Sequence, residues 1–277
     1  MPMVSVGREN SADIEIHYED HGAGQPIVLI HGYPLSGRGW DKQVPALLDA
    51  GYRVITYDRR GFGASSQPAT GYDYDTFAAD LSALLERLDL REAILVGHSM
   101  GTGEVTRYLS SYRSARVAKG VLIAPIPPFL LQAPDNPDGV PQSAFDGFVQ
   151  AAVADTPAWM KGFLDNFYNA DTLLGTLVSD QAYQASWNVA VAASATAAVA
   201  CIPTWATDFR TDLPKIDVPM LVVQGDADRV LPIGKTGQRL PGLIGDVQLV
   251  VIEGGPHGIP WTHAVQVNTA LLGFLRS

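Results

Sequence analysis

The 277 residues contain one cysteine, Cys201. No disulfide can form within the chain, so nothing ties the fold to an oxidising compartment, and Cys201 is expected to pack rather than react. Positive charge is scarce too: 19 Lys and Arg stand against 29 Asp and Glu, a formal net charge of −10. That balance repels a phosphate backbone and argues against nucleic acid as a partner. Long apolar runs are missing. The most membrane-like segment, Val189 to Ile202, includes Ser194 and Thr196 and falls short of the roughly 18 to 20 apolar residues that span a bilayer. It reads as a buried helix, with no membrane partner implied. The opening residues Met1 to Asn10 lack the basic stretch followed by an apolar block that marks a secretory signal, so a cytoplasmic location is expected. Internal repeats, low-complexity tails and glycine-serine linkers are also absent.

What remains is an ordinary globular composition, 47% hydrophobic and 17% charged, in a chain long enough to bury a large core. Short β-branched runs alternate with longer helical patterns, the signature of parallel strands joined by crossover helices. The buried-strand candidates are Ile27 to Ile30, Arg53 to Tyr57, Ala93 to Val96, Gly120 to Ile123, Met220 to Val223 and Val247 to Ile252. Ile14 to Tyr18 instead alternates polar and apolar residues, as an antiparallel strand at the sheet edge would. Thr76 to Asp89 carries Phe77, Leu81, Leu84, Leu85 and Leu88 on one helical face.

One interval breaks the rhythm. From Pro125 to about Pro214 there is no convincing strand, and the stretch opens with Pro125-Ile126-Pro127-Pro128. A helical insertion over residues 125–214 is expected, between core segments 1–124 and 215–277. Its helices would include roughly Ser143 to Ala154, Pro157 to Tyr168 and Asp180 to Ala200.

The chemistry concentrates at strand ends. Gly97-His98-Ser99-Met100-Gly101 follows the strand at Ala93 and precedes a helical stretch, which is the context of a G-x-S-x-G nucleophile elbow. The glycines let neighbouring backbones approach where the chain turns sharply from strand to helix. A serine hydroxyl is a weak nucleophile unless a base takes its proton and a third group orients the base. Gly225-Asp226-Ala227-Asp228 follows the strand at Met220, and Gly254-Gly255-Pro256-His257-Gly258 follows the one at Val247, both at the strand ends where open α/β sheets build sites. The chain order Ser99, Asp228, His257 suits such a fold. Asp228 is preferred to Asp226 because the pattern places the acid second in G-D-x-D, which leaves Asp226 to cap a turn or helix start.

His31-Gly32-Tyr33-Pro34 ends the first strong parallel strand. The backbone N–H groups of Tyr33 and Met100 are assigned to an oxyanion hole, with His31 as a structural turn residue. Gly61-Phe62-Gly63 lacks the third glycine of a dinucleotide fingerprint, so no nucleotide cofactor is expected and a tight loop accounts for it. The remaining histidines form no metal-ligand pattern.

On these motifs the chain resembles the α/β-hydrolase superfamily, and within it the cofactor-free (non-haem) bromoperoxidases and chloroperoxidases, also described as perhydrolases. The closer likeness rests on Tyr57 to Gly63, Gly71 to Leu81, Ser99-Met100-Gly101-Thr102-Gly103-Glu104 and Trp261-Thr262-His263. His98 departs from it, since Phe is expected there. The resemblance implies an α/β fold with a mostly parallel eight-stranded sheet flanked by helices and a helical cap over the site. It also implies no cofactor and no metal, and a homo-oligomer, often a trimer or dimer of trimers. Ser99 would attack an ester or carboxylic acid to give an acyl-enzyme. Water would then complete hydrolysis, whereas hydrogen peroxide would give a peracid that oxidises halide. Family members that favour peroxide carry a proline after the oxyanion-hole aromatic, here Pro34, which either turns the Tyr33 carbonyl toward peroxide or merely stiffens the loop.

Three functions stay open at this point: an esterase or lactonase with incidental halide oxidation, a dedicated halide-oxidising perhydrolase, and a receptor that uses the fold to bind a ligand. Phe129, Trp159, Phe163, Phe167 and Trp205 are the candidates for an acyl pocket in the cap.

Overall fold

The computed structural model describes residues 1–277. Eight strands run in chain order: β1 (Met3–Glu9), β2 (Ala12–His21), β3 (Pro26–Ile30), β4 (Arg53–Tyr57), β5 (Ala93–His98), β6 (Val117–Ile123), β7 (Met220–Gly225) and β8 (Val247–Ile252). They form one sheet in the order β1-β2-β4-β3-β5-β6-β7-β8. The pairs β1/β2 and β2/β4 are antiparallel and every other pair is parallel. The helices are α1 (Val44–Asp49), α2 (Tyr74–Arg87), α3 (Met100–Tyr112), α4 (Gln142–Ala154), α5 (Thr156–Tyr168), α6 (Ala170–Leu173), α7 (Asp180–Val191), α8 (Ala195–Ala200), α9 (Ile259–Thr262) and α10 (Ala264–Arg276).

The central strands are apolar throughout because both of their faces are covered. Successive side chains point to opposite sides. Val28, Ile30, Leu95 and Leu122 accordingly join α2 and α3 in one buried cluster. Ile27, Leu29, Ile94, Val96 and Val121 join α1 and α10 in the other. Each such side chain taken from water stabilises the fold by about 1.5–3 kcal/mol. Cys201 is fully buried, and burial pushes its thiol up to about 12, so it packs and does not ionise.

Two expectations need correction. Ile14 to Tyr18 lies in β2, but β2 is not the edge: β1 pairs outside it, returning through a tight turn at Asn10, whose φ is 54°. The Val4 and Val6 alternation in β1 is too short to stand out from the sequence. The helix expected over Asp180 to Ala200 is two helices, and the segment beginning at α8 is bent 98° from α7. Ser194 breaks it: its hydroxyl caps α8 at the Ala197 N–H (3.4 Å), and its own N–H donates to the Gly61 carbonyl at 2.8 Å. The Val189 to Ile202 segment is thus divided, and no single helix is long and apolar enough to cross a membrane.

No named strand lies between β6 and β7, yet the two are parallel neighbours in register from Gly120/Met220 to Ile123/Val223. Everything from α4 to α8 therefore leaves the sheet and returns beside its starting point. The loop Gly61-Phe62-Gly63 packs against that excursion: a Cβ at Gly61, where φ is +83°, would run into Ala197 of α8.

A buried ion pair fastens the strand ends that carry the motifs. Arg59, just past β4, places its Nη2 2.7 Å from Glu104 Oε2 on α3, and both side chains are almost fully buried. The same Nη2 donates to the His31 carbonyl (3.0 Å), and the Arg59 backbone N–H donates to His31 Nε2 (2.9 Å). Tyr57 closes the set through its hydroxyl on Glu104 Oε1. Burial pushes the Glu104 carboxyl upward against the pull of Arg59. Removing one partner would strand the other's charge, so Glu104→Ala should lose about 3–5 kcal/mol in urea unfolding. Arg59→Met combined with Glu104→Leu should lose far less. Equal loss in both variants would show that the hydrogen bonds of the pair, not a stranded charge, set the cost.

Candidate active site

Ser99 stands between β5 and α3 with φ 54° and ψ −121°. A non-glycine residue there costs roughly 1–3 kcal/mol of backbone strain and persists only when its surroundings fix it. The glycines provide that fixing. A Cβ at Gly97 would lie 2.5 Å from the Gly101 carbonyl oxygen, and one at Gly101 would collide with the Ile30 carbonyl oxygen on β3. A Cβ at Gly32 would lie 2.7 Å from the Ser99 Cβ. Only hydrogen at these positions lets the turn close against β3 and project the serine.

Asp228 follows β7 and His257 follows β8. Ser99 Oγ is 2.8 Å from His257 Nε2, and His257 Nδ1 is 2.8 Å from Asp228 Oδ2. All three are buried, His257 completely. Asp228 is itself held, because its Oδ1 accepts the N–H groups of Val230 (2.9 Å) and Leu231 (2.8 Å). An acceptor-only carboxylate at Nδ1 calls for the tautomer with its proton there, which leaves Nε2 to accept from the Ser99 hydroxyl. Asp226 lies elsewhere: its Oδ1 accepts the Gly254 N–H at 2.7 Å and so ties the turn leading to His257.

The N–H groups of Tyr33 and Met100 make no hydrogen bond within the protein. They are open donors on the loop after β3 and at the first turn of α3, where the helix dipole favours negative charge. Tyr33 is buried, and its hydroxyl donates to the Ala198 carbonyl (2.9 Å) while accepting from Trp159 Nε1 (2.9 Å). The loop is thereby joined to α5 and α8. Pro34 is buried next to it.

His98, which the sequence marks only as a variable elbow position, has a definite place. Its Nε2–H donates to the His257 carbonyl at 3.0 Å, and its ring centroid lies 5.1 Å from that of His257. Burial, then the neighbouring His257, pushes its pKa down to about 3, which leaves the ring neutral. His31 is likewise held well below the usual histidine value, by burial first and by Arg59 second. It donates from Nδ1 to the Gly32 carbonyl at 3.0 Å and accepts the Arg59 N–H, as the turn role expected for it requires.

A cavity of about 730 Å³ opens onto Ser99. Trp159, Phe163 and Trp205 line it as expected, together with Tyr33, Ile126, Leu130, Phe145 and Phe148. Two of the five aromatic candidates lie outside it. Phe129 is covered by the Arg210 guanidinium, 4.6 Å from its ring centroid. Phe167 packs against His257 and His98, with centroids 5.2 and 5.7 Å apart. Helical spacing marks apolar faces but does not say which of them meets a void, so the additional lining residues had no separate signal in the sequence.

These features accord with known proteins. Residues 25–264 match the family model described as the alpha/beta hydrolase fold. A Synechocystis sp. protein provisionally named a non-heme chloroperoxidase is 64% identical over 276 residues, with 100% of each chain covered. The bifunctional esterase/perhydrolase of Acinetobacter calcoaceticus is 35% identical, with 95% of this chain and 97% of that one covered. The crystal structure of bromoperoxidase from Bacillus anthracis superposes with a TM-score of 0.95 at 46% identity, covering 100% of this chain and 99% of that chain. The sheet order, the elbow and these likenesses agree: the chain belongs to the α/β-hydrolase family and resembles its non-haem haloperoxidases.

Proposed function

We propose that this protein hydrolyses carboxylic esters through an acyl-enzyme on Ser99, and forms peracids when hydrogen peroxide replaces water. The observation that carries the reading is the unbroken run of hydrogen bonds from Ser99 Oγ through His257 to Asp228, opening onto an apolar cavity. His257 Nε2 takes the serine proton as Oγ attacks the acyl carbon. Asp228 stabilises the imidazolium that forms. The N–H groups of Tyr33 and Met100 hold the negative oxygen of the tetrahedral intermediate. His257 then returns its proton to the leaving alcohol. In the second half it deprotonates water, giving the acid, or peroxide, giving a peracid. The peracid transfers an oxygen to halide in solution, yielding hypohalous acid and the carboxylate of the original acid, so halide needs no site on the protein.

On this reading residues 1–124 and 215–277 form the catalytic core, and residues 125–214 form a cap that supplies most of the acyl cavity. A homo-oligomer, as a trimer or dimer of trimers, fits the resemblance to the haloperoxidases. The name of the Bacillus anthracis bromoperoxidase favours a second reading in which peroxide chemistry is the selected activity. Both readings use the same acyl-enzyme.

Ser99→Ala should lower p-nitrophenyl acetate hydrolysis at least about 1000-fold, and bromination of monochlorodimedone in acetate and peroxide with it. Bromination that survives the substitution would remove the acyl-enzyme from the halide chemistry. Pro34→Leu frees the Tyr33 backbone, and the perhydrolysis-to-hydrolysis rate ratio should fall severalfold; an unchanged ratio assigns Pro34 to loop stiffness alone.

His98 yields a prediction about acid stability. Its folded pKa lies below its unfolded one, so below about 6.5 the unfolded chain binds the extra proton first and stability declines as pH is lowered toward about 3. His98→Phe should be less stable at pH 7, having left the His257 carbonyl without its donor, yet lose less on acidification. Parallel urea-stability curves between pH 7 and 4 would contradict this.

A further inference from the structure

Three charged residues line the cavity that holds Ser99: Asp155, Arg229 and Lys235. Two have partners. The Asp155 carboxylate caps α5 by accepting the Ala158 N–H at 3.0 Å, and Arg229 Nη1 lies 2.7 Å from Asp171 Oδ1. Lys235 has none. It is half-buried, its ammonium donates no hydrogen bond within the protein, and no carboxylate comes within 4.0 Å of that ammonium. Asp135 and Asp138 lie in the neighbouring surface pocket that Lys235 also borders, but Asp135 pairs with Arg210 at 2.8 Å. Arg239 donates to Asn136 Oδ1 and to the Lys235 carbonyl, not to an acid that could serve the ammonium.

We propose that Lys235 selects acyl groups carrying a second, distal carboxylate: half-esters of dicarboxylic acids, or lactones with a carboxylate side chain. The inference rests on the esterase reading of Ser99 and names its substrate class. An unpaired cation bordering a mostly apolar cavity gains most from an anion brought in by the substrate, since desolvation strengthens the pair. The ammonium is a point charge on a flexible four-carbon stem, so it reads the presence of charge more than one fixed chain length. The protein's net charge of −10 opposes anionic ligands in general. A local cation at the cavity is what would admit them.

The test measures binding apart from turnover. In the full-length Ser99→Ala variant, Trp159 and Trp205 line the cavity and report ligand by fluorescence. Monoethyl adipate is titrated against its neutral counterpart, in which a carboxamide replaces the free carboxylate. The half-ester should bind about fivefold more tightly at low ionic strength. The preference should shrink with added salt, disappear in Ser99→Ala/Lys235→Gln and persist in Ser99→Ala/Lys235→Arg. Equal affinities, or a preference that survives Lys235→Gln, would overturn the proposal. Hydrolysis of the neutral ester by wild type tests the underlying reading separately: its absence sinks the esterase reading, while the binding preference still decides whether Lys235 recognises carboxylate.

Discussion

The strained backbone of Ser99 depends on the close packing of the turn against the end of β3, where Gly101 meets the Ile30 carbonyl and Gly32 lies under the serine. Both open N–H groups, of Tyr33 and Met100, come from the two segments pressed together there. The same contact therefore sets the position of the Ser99 hydroxyl and of the donors that, on the proposed function, hold the developing charge. A preorganised arrangement of this kind stabilises charge without reorganising at the moment of reaction. Its strain is offset by the buried sheet beneath it, most of whose inward side chains are apolar and fully covered.

Three sets of interactions steady this contact from different sides. The Arg59–Glu104 pair joins the elbow helix to the ends of β3 and β4. His98 donates to the backbone of His257 and packs against its ring. Tyr33 reaches the other way, to Trp159 and Ala198, so that the loop carrying an open donor is also fastened to the helices enclosing the cavity. Cavity shape and site geometry are consequently coupled: a change in α5 or α8 that moves Tyr33 moves one of the two open N–H groups with it.

Charge is distributed with a similar economy. Around Ser99, His31 and His98 are held neutral by burial, and Asp228, Glu104 and Arg59 are tied to partners. The exception is Lys235, which borders the cavity without a counter-ion. An uncommitted charge beside an apolar void bears on what enters, while the committed ones maintain shape.

The strands and the three hydrogen-bonded side chains were legible in the sequence for local reasons. A β-branched run has to be buried on both faces, and a G-x-S-x-G turn tolerates no Cβ beside the serine, so periodicity and glycine spacing located β3 to β8 and Ser99 without reference to distant residues. The acid and the base could be narrowed because both had to sit just past a strand end. The β1 strand, the break at Ser194, the place of His98 and the membership of the cavity wall could not be read this way. Each depends on contacts between segments: β1 on the exposed edge of its neighbour β2, Ser194 on the distant Gly61 carbonyl, His98 on the distant His257 carbonyl, and Lys235 on the absence of a carboxylate within 4.0 Å. The sequence by itself determined which segments must be buried and which residues could react. Tertiary structure alone decided which buried faces enclose a void and which charges go unpaired, because both are properties of contacts between segments that no single segment contains.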